Sequence, residues 1–173
     1  DNFDFVFGKS DRSYFINLGL GYNLVKDIYS RVRTLLPDGK TQISWENISG
    51  RKEYEVSTWG GITVARKWRT NISASYTFNQ YSEFDRTVNR YRNGGSFTSN
   101  ISSSYTPKDI LNFTTGFTVN RFANPQGFAR WSWSMNAGVQ KKFFEKRLTV
   151  TLNMIDPFMQ QRNRSYTYGT NFN

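Results

Sequence analysis

The chain has 173 residues, of which 37% are hydrophobic and 17% aromatic, so aromatic rings supply nearly half of its apolar content. Lys and Arg number 23 against 13 Asp and Glu, a formal charge of +10 that suits an anionic membrane surface, acidic lipid or nucleic acid. With no Cys and no His, it has no disulfide, no thiol nucleophile, no Cys/His zinc site and no His-based acid–base chemistry.

The opening "DNFDFVFGKSDRS" has neither the basic nor the apolar region of a signal peptide, which implies a removed leader or an internal piece of a longer protein. Period-2 alternation then recurs down the chain. In "FINLGLGYNL" (15–24), Ile16, Leu18, Leu20, Tyr22 and Leu24 oppose Asn17, Gly19, Gly21 and Asn23. Over 53–64 the apolar set is Tyr54, Val56, Ile62 and Val64. In "TNISASYTFNQ" (70–80), Ile72, Ala74, Tyr76 and Phe78 oppose Asn71, Ser73, Ser75, Thr77 and Asn79. "SFTSNISSSYT" sets Phe97, Ile101 and Tyr105 against Thr98, Asn100, Ser102 and Ser104. Leu111, Phe113, Phe117 and Val119 follow, against Asn112, Thr114, Gly116 and Thr118. Trp131, Trp133, Met135, Ala137 and Val139 then oppose Ser132, Ser134, Asn136, Gly138 and Gln140, and Leu148, Val150, Leu152 and Met154 close the series. No segment repeats at helical spacing, which predicts an all-β chain in one unit over 1–173 with no linker.

Connections alternate between short ("ARKWR" at 65–69, "TPKDI" at 106–110, "KKFFEKR" at 141–147) and long ("EFDRTVNRYRNGG" at 83–95, "FANPQGFAR" at 122–130). Consecutive strands are therefore antiparallel, with tight turns at one end and loops at the other. "PDGK" (37–40) is a turn between two long strands.

The polar face discriminates among β folds. A solvated strand face normally carries Lys, Glu and Arg. Here 70–82, 93–107, 110–120 and 131–140 hold no charge on either face. An ionised group on a lipid-facing strand costs ~2–4 kcal/mol near mid-bilayer. Cations gather instead in the tight turns, at Arg66, Lys67, Arg69, Lys108, Lys141, Lys142, Lys146 and Arg147, beside Trp68, Tyr105, Phe143 and Phe144. Tyr81, Phe84, Phe122, Phe128, Trp131 and Trp133 mark the other strand ends. Two aromatic girdles flanking an apolar band predict an antiparallel transmembrane β-barrel segment of about seven long strands, apolar to lipid and polar to the lumen. Asn71, Ser73, Ser75, Asn100, Thr114 and Asn136 are then lumen-facing, and the location is the outer membrane of a Gram-negative bacterium.

Two stretches are specific enough to resemble a family. "TQISWENISGRKEYEVSTWGGITV" resembles the "N-x-G … G-x-E" strand of TonB-dependent outer-membrane receptors, with Asn47 and Glu55 on the Asn and Glu of that motif. Tyr54 or a neighbour replaces the glycine before the Glu. "KRLTVTLNMIDPFMQQRNRSYTYG" is similar to their penultimate strand, with Asn153, Asp156 and Phe158 in its places. The style is closest to the TonB-dependent-receptor-like barrels of Bacteroidetes. The resemblance implies uptake of a nutrient or chelate through a 22-stranded barrel around a plug. This chain then supplies the C-terminal third or so of the barrel without its last strand, and the plug and energy-coupling protein act through a missing N-terminal region. Closure is open unless the stretches at 1–11 and 165–173 pair.

Smaller signals carry less. Glu53 and Glu55 share a strand face as a glycosidase pair would, but rim or lumen charges explain them as well. The Asn-x-Ser/Thr triplets follow from a face written in Asn, Ser and Thr. Basic turns with aromatics could mark a nucleic-acid surface, yet the strand faces carry no base. Outer-membrane lipid and lipopolysaccharide phosphates near Arg86, Arg90, Arg92, Arg121 and Arg130 are the expected partners, without nucleic acid. Tyr91, Arg92, Phe128 and Arg130 are candidate ligand contacts at the loops. No enzyme activity, metal or cofactor is expected. The alternatives are a structural or adhesive barrel, and a soluble ligand-binding barrel with its apolar face inward.

Overall fold

A computed structural model describes residues 1–81, 93–160 and 164–167. Eight strands form one antiparallel sheet: β1 (Asn2–Ser10), β2 (Tyr14–Leu35), β3 (Thr41–Val64), β4 (Trp68–Tyr81), β5 (Gly94–Lys108), β6 (Leu111–Arg121), β9 (Ser132–Phe143) and β10 (Leu148–Ile155). Between β6 and β9 lie β7 (Ala123–Asn124) and β8 (Gly127–Ala129), which join β11 (Ser165–Thr167) in a small second sheet ordered β11-β8-β7. In the large sheet every strand pairs with its predecessor in that order, an up-and-down meander without crossovers.

The eighth strand is β1, which the alternation analysis leaves as a short stretch because Val6 falls out of phase with Phe3, Phe5 and Phe7. It pairs with β2 from Asn2↔Asn23 to Ser10↔Phe15, and β11 pairs with β8, so 1–11 does not pair with 165–167. The outer edges of β1 and β10 have no strand partner among the described residues.

The turns account for the hand of the hairpins. Ala65 and Arg66 between β3 and β4 have φ of 49° and 55°, and Phe144, Glu145 and Lys146 between β9 and β10 have 48°, 54° and 76°. Left-handed residues in a tight loop match the right-handed twist of the flanking strands. The connections at 11–13, 65–67, 109–110 and 144–147 lie at one end of the sheet, and the 36–40 turn closes β2 and β3 at the other.

At the other end β2 and β3 outrun their neighbours. The β1 ladder stops at Asn23 and the β4 ladder at Arg51, so Lys26↔Gly50 through Leu35↔Thr41 pair only with each other. This arm, residues 26–50, reaches about 30 Å past the sheet at ~3.3 Å per residue. Asp27, where the arm begins, has φ of 53°, a left-handed conformation that Asp tolerates better than most residues.

The sheet has no hydrophobic core of its own. Tyr81 is the buried large hydrophobic among the described residues, at 6% exposure, whereas Leu152 and Ile155 stand at 70% and 79%. An apolar face this extensive needs an apolar medium against it.

Candidate functional site

The register aligns one apolar face across all eight strands. A mid-sheet row runs Phe5, Leu20, Val56, Tyr76 and Phe97, and a lower one runs Ile72, Ile101, Phe117 and Met135. At the tight-turn end Trp68 pairs with Tyr105, which stacks on Phe113 with ring centroids 6.4 Å apart. Phe143 joins that level, its ring 4.8 Å beneath the Lys141 ammonium, while Phe144 projects from the turn at 74% exposure. At the loop end Tyr22 meets Tyr54 at 5.3 Å, Phe97 meets Trp131 at 5.5 Å, and Phe117 meets Trp133 at 5.8 Å. Phe122 follows the last residue of β6, 55% exposed. Trp68 and Phe78 bracket the band on β4, ten residue steps apart, which at ~3.3 Å per step and a tilt of about 45° is roughly 23 Å, the height of a hydrocarbon layer crossed by strands.

Four hydroxyls on this face are turned inward on the protein. Thr58 Oγ1 donates to the Asn17 carbonyl at 2.9 Å and Thr115 Oγ1 to that of Asn136 at 3.2 Å. Ser103 Oγ accepts from Trp68 Nε1 at 2.7 Å and lies 2.9 Å from Thr70 Oγ1. Such back-bonding is what a medium without hydrogen-bond partners demands.

The opposite face collects the amides and hydroxyls. Asn71 is level with Ser102, Ser73 with Asn100 and Ser75 with Thr98, while Thr114 and Asn136 take the same face on β6 and β9. Glu55 joins them, accepting from Ser75 Oγ at 3.3 Å, and Arg51 holds Glu53 in an ion pair of 2.9 Å. That pairing leaves Glu53 and Glu55 with separate partners. Tyr81 requires a correction: the alternation analysis assigns it to an aromatic girdle, but its register with Arg51 turns it to the polar face, where it is buried. A strand-end Tyr is ambiguous in sequence because the phase of the alternation, not its position, sets the face.

The family-motif residues separate. Asn47 lies on the arm opposite Tyr29, past the end of β4, whereas Glu55 is level with Gly21 and Thr77 within the sheet. Asn153 lies opposite Gly138, where a Cβ would come within 2.8 Å of its Oδ1 and 2.7 Å of Thr114 Oγ1. Asp156 follows the last residue of β10: its N–H donates to the Met135 carbonyl at 2.9 Å, and its Oδ1 accepts from Gln160 N–H at 3.2 Å. These are structural ties of a strand end.

The small sheet meets the arm at the loop end. Gln126, 6% exposed, donates from Nε2 to the Arg33 carbonyl at 3.1 Å and accepts from the Arg33 N–H at 2.9 Å. One side-chain amide thus replaces a β-strand partner on the edge that β1 leaves bare. Arg121 lies 5.3 Å from the Phe128 ring centre and 5.6 Å from that of Trp131, and Arg130 lies 5.1 Å from that of Tyr166. Phe84, Arg86, Arg90, Tyr91 and Arg92 fall outside the described residues.

An antiparallel sheet with one unbroken apolar face between aromatic girdles, and an uncovered amide and hydroxyl face behind it, defines a membrane β-barrel wall. The chain belongs to the outer membrane protein beta-barrel family, whose model matches residues 1–173. No curated protein and no solved structure matches it. The protein is therefore located in the outer membrane, and the soluble reading with an inward apolar face falls. In such barrels the short turns face the periplasm and the long loops the cell exterior.

Sequence reasoning missed two residues on the polar face. Phe15 and Trp59 are out of phase with Ile16, Val56 and Ile62, and that odd parity was the available signal.

Proposed function

We propose that this chain is wall of a TonB-dependent-type receptor that takes up a nutrient or chelate through a wide, plugged lumen. The observation that supports this best is the bare polar face. Ser73, Asn100, Thr114 and Asn136 are all exposed, whereas a small closed barrel fills its interior with its own side chains. The outer edges of β1 and β10, which have no strand partner among the described residues, suit a wider barrel wall, since each unbonded backbone group in hydrocarbon costs several kcal/mol. The resemblance at Asn47, Glu55, Asn153 and Asp156 names the receptor type.

In this reading the plug and the energy-coupling contact lie outside these residues. Lipid and lipopolysaccharide are the outer partners, with Trp68, Tyr105, Phe143, Phe144, Phe122, Trp131 and Trp133 at the two interfaces. Asn71, Ser73, Ser75, Asn100, Thr114 and Asn136 line the lumen. The wall takes no catalytic part and needs no cofactor or nucleic acid. Planar-bilayer recording of the full-length protein tests the proposal: a plugged receptor shows no steady conductance until its plug is displaced with urea. A pore that conducts constitutively sinks it.

The arm favours a second reading, a barrel that anchors a contact outside the cell without transport. Its strands carry Tyr29 and Trp45 at 71% and 70% exposure well beyond the membrane band. Energy-dependent solute accumulation in cells carrying the protein, lost on its deletion, decides for transport over anchoring.

A further inference from the structure

Near the tight turns, β5 takes three steps from Tyr105 to Lys108 while β6 takes two, from Phe113 to Leu111, so one extra residue is set into β5 at Thr106 and Pro107. Proline suits such a bulge because it has no N–H to give to the ladder. Thr106 keeps to the polar face, where its Oγ1 donates to Asn112 Oδ1 at 3.0 Å. Regular alternation would put Lys108, three residues past Tyr105, on that polar face as well. The bulge brings it back to the apolar one, since residues level with each other across a ladder share a face.

Lys108 is then level with Leu111, Leu111 with Lys141, and Lys141 with Val150, one row of the apolar face across four strands. Two strand spacings put the Cα atoms of the two lysines about 10 Å apart, a gap that their long, flexible stems can close onto one point above Leu111. The stacked rings of Tyr105 and Phe113 form the next row toward mid-membrane, and Phe143 stands on the turn side, its ring centre 4.8 Å from the Lys141 ammonium. A charge at this interfacial height costs little. Both lysines are exposed, and although Asp109 and Glu145 lie in the adjoining turns, neither lysine forms an ion pair with another described residue. Lys142, the next residue in the chain, is level with Thr149 on the opposite face.

We propose that Lys108 and Lys141 clamp, above Leu111, the phosphate of one anionic phospholipid of the inner leaflet, with a headgroup of the phosphatidylglycerol type. The tight turns face the periplasm, so the leaflet beside this row is the periplasmic one. A phosphodiester carries one negative charge, which two ammonium groups can share, and the acyl chains below it fall on Phe113 and Phe117 of the same strand face. A zwitterionic headgroup brings its own ammonium, which competes with the lysines for the phosphate. A protein partner would have to enter the headgroup layer between the rings to reach the pair. The inference goes beyond uptake and requires only a membrane wall, so it fails or holds separately from the receptor reading.

The test is native mass spectrometry of the full-length detergent-purified protein titrated with dioleoyl phosphatidylglycerol, dioleoyl phosphatidylethanolamine and lipid A. Phosphatidylglycerol should bind at least about fivefold more tightly than phosphatidylethanolamine, the scale of one basic residue at an anionic surface. Lys141→Gln should weaken phosphatidylglycerol about fivefold, and Lys108→Gln combined with it about 25-fold. Lys142→Gln makes the same change of charge on the other face and should stay within about twofold. Gln140→Lys combined with Lys141→Gln keeps the net charge but moves the ammonium to the polar face, and should lose as much as Lys141→Gln alone. Heat-modifiable migration on gels confirms that each variant is folded. Equal binding of the two phospholipids, or equal losses for Lys141→Gln and Lys142→Gln, overturns the proposal. Parent-like binding by the charge-moved variant does so too, since net charge alone would then hold the lipid. Tighter binding of lipid A that depends on Lys141 overturns the assignment to the inner leaflet, and the proposal with it.

Discussion

Strands β2 and β3 run through two surroundings on one continuous ladder, and their side chains change where the surroundings change. Below Leu24 and Arg51 they alternate Leu18, Leu20 and Tyr22 with Asn17, Gly19 and Gly21, and past Lys52 at the boundary the paired stretch of β2 and β3 carries charge only at the inward Glu53 and Glu55. Above that level the same ladder continues, but Lys26, Asp27, Arg31, Arg33 and Glu46 appear and the alternation decays. Backbone pairing is therefore indifferent to the medium, and the side chains are not. Charge is tolerated where water reaches, and excluded where an ionised group would have to stand in hydrocarbon.

The sharpest way to break the comparison is to move one charge between the two regions. Ile72→Arg, in the middle of the apolar band, should cost ~2–4 kcal/mol in denaturant unfolding from lipid or detergent. Tyr29→Arg on the arm should stay within about 0.5 kcal/mol. Equal losses would mean that the band does not face lipid. Gln126→Ala removes both bonds to the Arg33 backbone, and should lower the opening energy of the arm by about 1–3 kcal/mol. Hydrogen exchange at Arg33 would rise while exchange within β4 to β6 stays unchanged. A uniform rise across the sheet would show that the arm is not an independent unit. Asp27→Val forces a β-branched residue into a left-handed backbone, at about 1–2 kcal/mol, whereas Asp27→Gly should be neutral or mildly stabilising in the same unfolding series.

The smallest effect sits at the arm's tip. The Lys40 ammonium, 3.0 Å from Asp38, and the Lys40 backbone N–H, 3.1 Å away, hold the Asp38 carboxyl below its usual range. A carboxyl with a depressed folded value stabilises the turn above its unfolded value, near 4, and that contribution fades as pH falls through the lower folded one. Exchange at the Lys40 amide should therefore increase only below about pH 4, with the sheet unaffected. Protection that is flat across this range would leave the ion pair without a role in the turn.

Much of this was legible because a period of two has a sharp phase. The alternating runs gave five of the eight large strands nearly whole, and the parts of β2 and β3 that lie within the sheet. They also located the short turns and the neutral faces. The strand β1 was obscured by a single out-of-phase Val6, and the arm by its loss of alternation, since residues wet on both faces have no reason to alternate. Tyr81 was misplaced because a strand-end aromatic suits a girdle and a rim equally well. Phe15 and Trp59 passed unnoticed because an isolated aromatic reads as apolar content until the register assigns its face.

The sequence by itself determined the class of this protein. Antiparallel strands, one apolar and one neutral polar face, and charges confined to turns follow from local composition and from the cost of charge in lipid. Tertiary structure decided what depends on contacts distant in the chain: the register that lines up two aromatic girdles, the Gln126 amide closing on Arg33 93 residues away, and the crossing of Phe15 over Gly61 and of Trp59 over Gly19. These rest on which strand lies beside which, and at what offset, and a one-residue slip would turn every ring to the other face.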